Sequence, residues 1–269
     1  MYINYIVFKY YIFVYIYKYI VMKFTLCIPT MDRYDKFLSI NLINYIENPL
    51  IGEIIITDEN GNDIDKIIKS NIDKQKLKLY KNSKRLGPFL NKLEACKYST
   101  YEWIALIDSD NFADNEYFKI AYDYIKNINN PKYDIISPSF AKPRFDYRHL
   151  SNKIITKNNL KSIVEFDNTN RKDRSALEVL MNTGNFILNR SLLTDLNLFN
   201  ELNNIEYSSS CDVIYFNTLL FEQLDINFHI VHGLEYEHSL HDDSIYLKTC
   251  HNYAQFNNYI YNRFRTLYN

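Results

Sequence analysis

The sequence predicts an α/β fold in which helices flank a mostly parallel central sheet. Short apolar runs, typical of buried strands, alternate with segments whose apolar residues recur every three or four positions. Polar or turn-forming residues separate them, so that each strand is followed by one helix over about 100 residues from Lys23. Such alternation implies parallel strands joined by right-handed crossovers.

Four apolar runs are predicted to be the strands of this sheet. They are FTLCI (24–28), EIIIT (53–57), LKLY (77–80) and WIALI (103–107). Pro29 is predicted to end the first strand, because proline cannot donate to a strand ladder. The acidic, turn-rich sequence DENGND follows the second.

The segments between these strands have apolar residues at helical spacing. Helices are predicted at 35–46 and 63–70, and around Phe89–Cys96 and Phe118–Ile128. The polar stretch 139–182 is predicted to be a long irregular excursion. A strand at 185–189, a helix at 212–224, a strand at 228–231 and a helical tail complete the pattern. We therefore divide the chain into an extension (1–22), a main domain (23–244) and a tail (245–269).

Composition narrows the class of protein. The 269 residues suit one large domain with a small appendage. The net charge of −1 gives no general attraction to nucleic acid, so we predict no nucleic-acid partner. The four cysteines are far apart and form no CxxC pair, which favours reduced thiols in a cytoplasmic protein.

The N-terminal extension is apolar and rich in tyrosine. Lys9 and Lys18 bracket only eight residues, whereas a membrane-spanning helix needs about 20. No small-residue cleavage site follows, which argues against a signal peptide. Three interpretations stay open: Met22 is the true start, the segment is an interfacial anchor giving weak membrane association, or it is a signal-anchor helix.

The sequence Asp108-Ser109-Asp110 follows the fourth strand directly. Alternate residues of an extended segment point to the same side, so the two carboxylates can face one cation. Mg²⁺ and Mn²⁺ often bind one or two carboxylates together with substrate phosphates. A solvated turn is the ordinary alternative. Ligands of parallel sheets bind at the carboxyl ends of strands, where Thr30–Arg33 and Asp58 are also expected.

Four segments in this order resemble the N-terminal half of family 2 glycosyltransferases of the GT-A fold. They are FTLCIPTMDR, EIIITDENG, NSKRLGPFLNKLEAC and WIALIDSDN. The resemblance covers residues 23–125 well and 183–244 more loosely. It implies a Rossmann-like, nucleotide-diphosphosugar transferase-like domain, and it makes the two aspartates similar to the family's DXD motif for metal and nucleotide.

The resemblance also implies roles for single residues in the first half. Asp58 matches the aspartate at the uracil edge, for which a plain strand-end acid is the alternative. Asp108 would contact ribose or metal and Asp110 the metal. The other residues expected near the nucleotide are Pro29, Thr30, Arg33, Asn82, Arg85, Gly87, Asn91 and Ser109.

In the second half, the resemblance points to a catalytic base at the start of a helix. Asp212 occupies that position, with Glu206 and Asp225 as alternatives. A carboxylate there is also an ordinary helix cap. TGNF (183–186) resembles the segment that shapes the donor-sugar and acceptor site.

A polar cluster, EYEHSLHDDS (235–244), follows the last predicted strand. Related enzymes often supply a histidine here as a further contact to metal or phosphate, and neutral imidazole is a common metal ligand. We assign this role to His238, with His241 as the alternative.

The resemblance implies an inverting glycosyltransferase that depends on Mn²⁺ or Mg²⁺. It would move a hexosyl or N-acetylhexosaminyl group from a UDP-sugar to a glycan or lipid-linked acceptor, in the cytoplasm or at a membrane surface. A nucleotidylyltransferase of similar fold is one alternative, although IPTMDRYDK lacks the glycines of that class. A non-catalytic nucleotide-sugar-binding protein is the other.

Overall fold

The computed structural model describes residues 22–129, 131–170, 176–194, 211–249 and 254–269. These residues form nine strands of one sheet, in the order β3-β2-β1-β4-β8-β5-β9-β7, with β6 paired to β5. The strands are β1 (Phe24–Thr30), β2 (Ile51–Asp58), β3 (Leu77–Lys81), β4 (Trp103–Leu106), β5 (Asp134–Lys142), β6 (Phe145–Asp146), β7 (Ile154–Ile155), β8 (Phe186–Asn189) and β9 (Asn227–Glu237).

Helices cover the sheet and make the crossovers between its parallel strands. A π-helical turn (Tyr34–Leu38) leads directly into the first α-helix. The α-helices are α1 (Ser39–Glu47), α2 (Asn62–Lys69), α3 (Pro88–Lys97), α4 (Asn115–Ile125), α5 (Leu160–Asn170), α6 (Ala176–Met181), α7 (Ser191–Thr194), α8 (Asp212–Gln223), α9 (Ile245–Thr249) and α10 (Ala254–Thr266).

The first half of the fold confirms the predicted parallel α/β pattern. Strands β1 to β4 pair in parallel, and Thr30 lies opposite Asp58 at the end of the β1–β2 ladder. The first strand was predicted to end at Pro29, but it continues to Thr30. Pairing with β4 ends at Cys27, so the missing amide of Pro29 interrupts no bond to that strand.

The second half differs more from the prediction. The segment 139–182 was expected to be an irregular excursion, but it holds the end of β5, the short strands β6 and β7, and helices α5 and α6. Strand β9 is also longer than expected and runs parallel to β5. Strand β8 lies antiparallel between β4 and β5, so the sheet is mixed.

The C-terminal tail packs on the main domain through helix α10. Ile260 and Phe264 of this helix are fully buried, and Arg263 pairs with Glu222 of α8 at 2.6 Å. Among the helices in the described ranges, none is long and apolar enough to cross a membrane.

Candidate active site

The first carboxylate of the DXD pair, Asp108, is held by two partners from distant parts of the chain. Lys92 Nζ, on α3, lies 3.0 Å from Asp108 Oδ1. The side chain of Asn185 accepts a hydrogen bond from the Asp108 backbone N–H at 2.7 Å and donates one to Asp108 Oδ2 at 3.1 Å. Asn185 is buried, and it belongs to the TGNF segment. The carboxylate is therefore fixed at the carboxyl end of β4.

The second carboxylate, Asp110, faces two groups from the walls of the crevice. His241 Nε2 lies 2.9 Å from Asp110 Oδ2, and Arg33 Nε lies 3.7 Å from the same oxygen. Arg33 also donates from Nη2 to the backbone carbonyl of Asp243 at 3.0 Å. The His241 ring packs against Phe37 at 5.2 Å between centroids. The turn after β1 and the segment after β9 thus meet at Asp110.

Of the two histidines, His241 makes the direct contact with Asp110, whereas His238 was the one predicted to join the metal. His238 packs edge-on against the rings of Phe145 and Tyr236. Burial lowers the pKa of His238, although Asp108 and Asp110 act in the opposite direction. The imidazole is therefore neutral at pH 7. Its buried Nδ1 has no described hydrogen-bond partner.

The chemistry of this donor set fits a divalent cation that arrives with a diphosphate. Within the described ranges, no three His, Cys, Asp or Glu side chains form a ready metal cage. Two carboxylates and a buried neutral imidazole nevertheless match the way Mg²⁺ and Mn²⁺ bind through a few protein ligands and substrate phosphates.

The predicted base, Asp212, is the first residue of helix α8 and is buried. Its Oδ1 accepts the Val213 backbone N–H at 2.8 Å, so the carboxylate does bind a free amide of the first helical turn. Burial raises the pKa of Asp212 to about 6, against the opposing charge of Lys92. A carboxyl group with this pKa is mostly ionised at pH 7 and is a stronger base than an exposed aspartate.

The alternatives to Asp212 have different placements. Asp225 is exposed beyond the C-terminal end of α8, so the whole length of the helix separates it from Asp212. Glu206 lies outside the described residues.

At the end of β2, two neighbouring acids have different surroundings. Both oxygens of Asp58 accept backbone N–H groups: Oδ1 that of Asn60, in the turn before α2, at 3.3 Å, and Oδ2 that of Ile64, in the first turn of α2, at 3.0 Å. Asp58 is fully buried, and burial raises its pKa. Glu59 Oε2 accepts the Leu86 N–H at 2.8 Å, whereas its buried Oε1 has no described partner. Burial also raises the pKa of Glu59.

Thr30, at the end of β1, donates its hydroxyl to the buried carboxylate of Asp63 at 2.5 Å. Asp63 also accepts the backbone N–H groups of Arg33 and Tyr34. These bonds hold the turn after β1 in place and direct Arg33 toward Asp110. Pro29 is buried in the strand.

The loop between β3 and α3 is tied to β2 by the two predicted asparagines. Asn82 Nδ2 donates to Asn91 Oδ1 at 2.9 Å, and Asn91 Nδ2 donates to the Thr57 carbonyl at 3.1 Å. Gly87 has φ +84°, a conformation that favours glycine, and α3 begins directly after it. Arg85 is exposed, and its charge acts on the buried Glu59.

Sequence reasoning missed the residues that orient the predicted ones. Ser109, one of the predicted residues, lies between Asp108 and Asp110 in the sequence and is buried. The residues that were not predicted are Glu59, Asp63 and Lys92, whereas Asn185 lies in the predicted TGNF segment. Glu59 and Asp63 belong to the acidic, turn-rich sequence DENGND, and this concentration of acids was the available signal.

Comparison with solved structures places this architecture among GT-A glycosyltransferases. Staphylococcus aureus TarS 1–349, in complex with UDP-GlcNAc, has a TM-score of 0.60 at 17% identity, over 83% of this chain and 60% of that one. A glucosyl-3-phosphoglycerate synthase from Mycobacterium tuberculosis, in complex with Mn²⁺, UDP and glucosyl-3-phosphoglycerate, has a TM-score of 0.57 at 12% identity, over 92% and 80%. The mannosyltransferase PcManGT from Pyrobaculum calidifontis, in complex with GDP-Man and Mn²⁺, has a TM-score of 0.52 at 14% identity, over 82% and 58%.

The fold and the crevice at its strand ends thus define a GT-A domain. The family model described as "Glycosyl transferase family 2" matches residues 25–196, and the chain belongs to this family. The chain spans about 60% of the length of the TarS 1–349 structures. A comparison with curated protein sequences finds no match.

Proposed function

We propose that this protein is a glycosyltransferase that moves a sugar from a nucleotide-diphosphate donor to a hydroxyl acceptor. The proposal depends on one observation in a chain of this family. The negative charges of Asp108 and of the buried acid Asp212 both attract the ammonium of Lys92, and Asp110 lies close to them. This arrangement joins a diphosphate-binding pair to a carboxylate of raised pKa.

The nucleotide base would lie where the ends of β1 and β2 meet the loop before α3. Of the two acids there, Glu59 is the better reader of a base N–H, because its Oε1 is buried without a described partner. Asp58 instead uses both oxygens within the fold. A carboxylate that accepts the imide N–H favours uracil, so UDP-sugars are the proposed donors; the TarS 1–349 structure with UDP-GlcNAc is consistent with this choice.

The residues of the crevice would orient the donor and take up one proton. Asp108 and Asp110, with the donor diphosphate, would hold Mn²⁺ or Mg²⁺, and the cation would supply positive charge to the departing nucleoside diphosphate. Arg33 and His241 adjoin Asp110 and would border the same phosphates. Asp212 would remove the proton of the acceptor hydroxyl as this oxygen bonds to the anomeric carbon.

Direct attack by the acceptor inverts the anomeric configuration, and general-base assistance of this kind contributes about 10²–10⁴-fold. The transferred group is proposed to be a hexosyl or N-acetylhexosaminyl unit. A glycan or a lipid-linked saccharide is the proposed acceptor, which would place the enzyme in the cytoplasm or at a membrane surface.

A donor panel tests the proposal. UDP- and GDP-sugars are each mixed with the protein and Mn²⁺, and binding is read from the shift in melting temperature, since a ligand that binds the native state stabilises it. Donors that bind are then assayed for release of the nucleoside diphosphate and, with saccharide acceptors, for the anomeric configuration of the product by NMR. Failure of every nucleotide sugar to bind would refute the proposal, and a retained configuration would refute inversion.

A further inference from the structure

Lys92 is a buried lysine that the reaction outlined above does not use. It lies on α3, its side chain is only 10% exposed, and its ammonium is 3.0 Å from Asp108 Oδ1. A buried ammonium is costly unless it is paired. The Asp108 carboxylate supplies that partner, so the two side chains form an ion pair within the site. Asp212 is a second acid whose charge acts on this ammonium.

The ammonium fits because residue 184 has no side chain. A Cβ at Gly184 would lie 2.7 Å from Lys92 Nζ and 3.1 Å from Val213 Cγ2. The first distance is shorter than real Cβ contacts, so any larger residue would displace the ammonium. Val213 follows Asp212 directly, which places this space between the end of β4 and the start of α8.

We propose that Lys92 is a positioning residue: its ammonium, lodged beside Gly184, fixes the Asp108 carboxylate and supplies the positive charge shared by Asp108 and Asp212. The inference rests on the proposed transfer reaction, in which Asp108 serves the donor side and Asp212 the acceptor side. One buried ammonium would then interact with both the donor side and the acceptor side of the site.

Two consequences follow from the position of this charge. The ammonium repels a divalent cation at Asp108, so its removal should tighten Mn²⁺ binding, roughly tenfold by Coulomb's law. Its removal also leaves Asp108 and Asp212 without their shared counter-charge, so turnover should fall. A residue needed only for folding would not tighten metal binding.

The first experiment compares Lys92→Met with Lys97→Met in the full chain. Lys97 lies on the same helix but is exposed and pairs with Glu94 at 2.7 Å, so it is a matched control. Mn²⁺ affinity is measured by electron paramagnetic resonance of the free ion, both without nucleotide and with UDP, and a protein-free sample with UDP is the reference. We expect roughly tenfold tighter binding for Lys92→Met only, and kcat at least tenfold lower with a donor KM changed less than threefold. Lys92→Arg, which keeps the charge, should recover part of kcat.

The second experiment tests the space at residue 184. Gly184→Ala displaces the ammonium without removing it, so it should lower kcat as Lys92→Met does. The two changes act on one contact, and the double variant should be no worse than the poorer single variant. Multiplied losses in the double variant would overturn the inference. Gly184→Ala also carries the test if Lys92→Met does not fold.

The metal measurement separates this inference from the proposed function. Mn²⁺ affinity that is the same in wild type and Lys92→Met overturns the role of Lys92, even if the wild type transfers sugar. Tighter Mn²⁺ binding in Lys92→Met supports the placement of the charge, even if no nucleotide sugar proves to be a donor.

Discussion

Replacing Asp212 by asparagine separates the two interpretations of this residue, helix cap and general base. Asp212 is the first residue of the helix, and its Oδ1 accepts the Val213 N–H; the amide oxygen of asparagine can accept the same bond. Asparagine cannot take up a proton from an acceptor hydroxyl. If Asp212 is the base, the variant should stay folded, bind the donor nearly normally and lose roughly 10²-fold or more in turnover.

The same substitution should stabilise the protein at neutral pH. Burial raises the pKa of Asp212 from 3.8 to about 6. Between these two values the folded state binds more protons than the unfolded state, so the free energy of unfolding falls as pH rises from about 4 to about 6. Above pH 6 the loss reaches about 3 kcal/mol, which is the two-unit shift converted to free energy. Asparagine carries no such cost, although it also gives up the attraction to Lys92.

The assays are thermal unfolding and turnover for wild type and Asp212→Asn between pH 4 and 8. We expect the variant to melt higher than wild type at pH 7.5 and equally at pH 4. Wild-type turnover should fall as pH falls through about 6, because the base becomes protonated. Asp225→Asn, at the exposed end of the same helix, is the control and should change neither property. Near-normal turnover in Asp212→Asn would refute the general-base role, and lost donor binding would move Asp212 to the donor side.

Three further predictions concern other parts of the molecule. Asp110→Ala should remove Mn²⁺-dependent donor binding, read by thermal shift, while the metal-free melting temperature stays unchanged; an unaltered Mn²⁺ dependence would make the pair a solvated turn. Glu59→Gln should weaken UDP binding, measured by calorimetry, by about tenfold, because the NH2 group that replaces one carboxylate oxygen would face either the Leu86 N–H or the base N–H, both of which are donors; an unchanged affinity would exclude Glu59 from the base site. Residues 22–269 alone should fold and keep activity, since the predicted pattern begins at Lys23; an insoluble or inactive 22–269 protein beside an active full chain would contradict this.

The parallel half of the sheet could be predicted because its signals are local. The first four strands are short, mostly apolar runs, of which only LKLY contains a lysine, and each crossover carries one amphipathic segment. The carboxyl ends of such strands meet at one edge, so the position of Asp108 and Asp110 followed from the pattern alone. Within 139–182, helix α5 has 11 residues, but its last four, DNTN, are polar, so its apolar pattern is short. Strands β6 and β7 have two residues each, and β7 pairs with the distant strand β9. The periodicity of apolar residues does not show which distant strands pair.

The candidate site shows the same division between local and distant information. Strand-end acids are visible in the sequence, but the groups that orient them come from elsewhere: His241 reaches Asp110 across 131 positions and Asn185 reaches Asp108 across 77. Glu59 and Asp58 are neighbours with the same chemistry, and only the hydrogen bonds show that Asp58 is occupied within the fold. A family resemblance indicates which positions lie near the site. Which of two adjacent residues is free to bind a ligand depends on the hydrogen bonds that each makes within the fold.

The start of helix α8 concentrates features that oppose stability, which argues that it was shaped by function. Cys211, the residue before the helix, has φ +63°, a left-handed conformation that costs a non-glycine residue roughly 1–2 kcal/mol. Its side chain makes no capping hydrogen bond to the helix, where a serine or aspartate would contribute about 1 kcal/mol. Asp212 then adds a buried carboxylate. The helix tolerates these costs because every residue from Asp212 to Phe221 is buried against the rest of the domain. Several locally unfavourable features at one position, within an otherwise well-packed helix, are typical of a functional site.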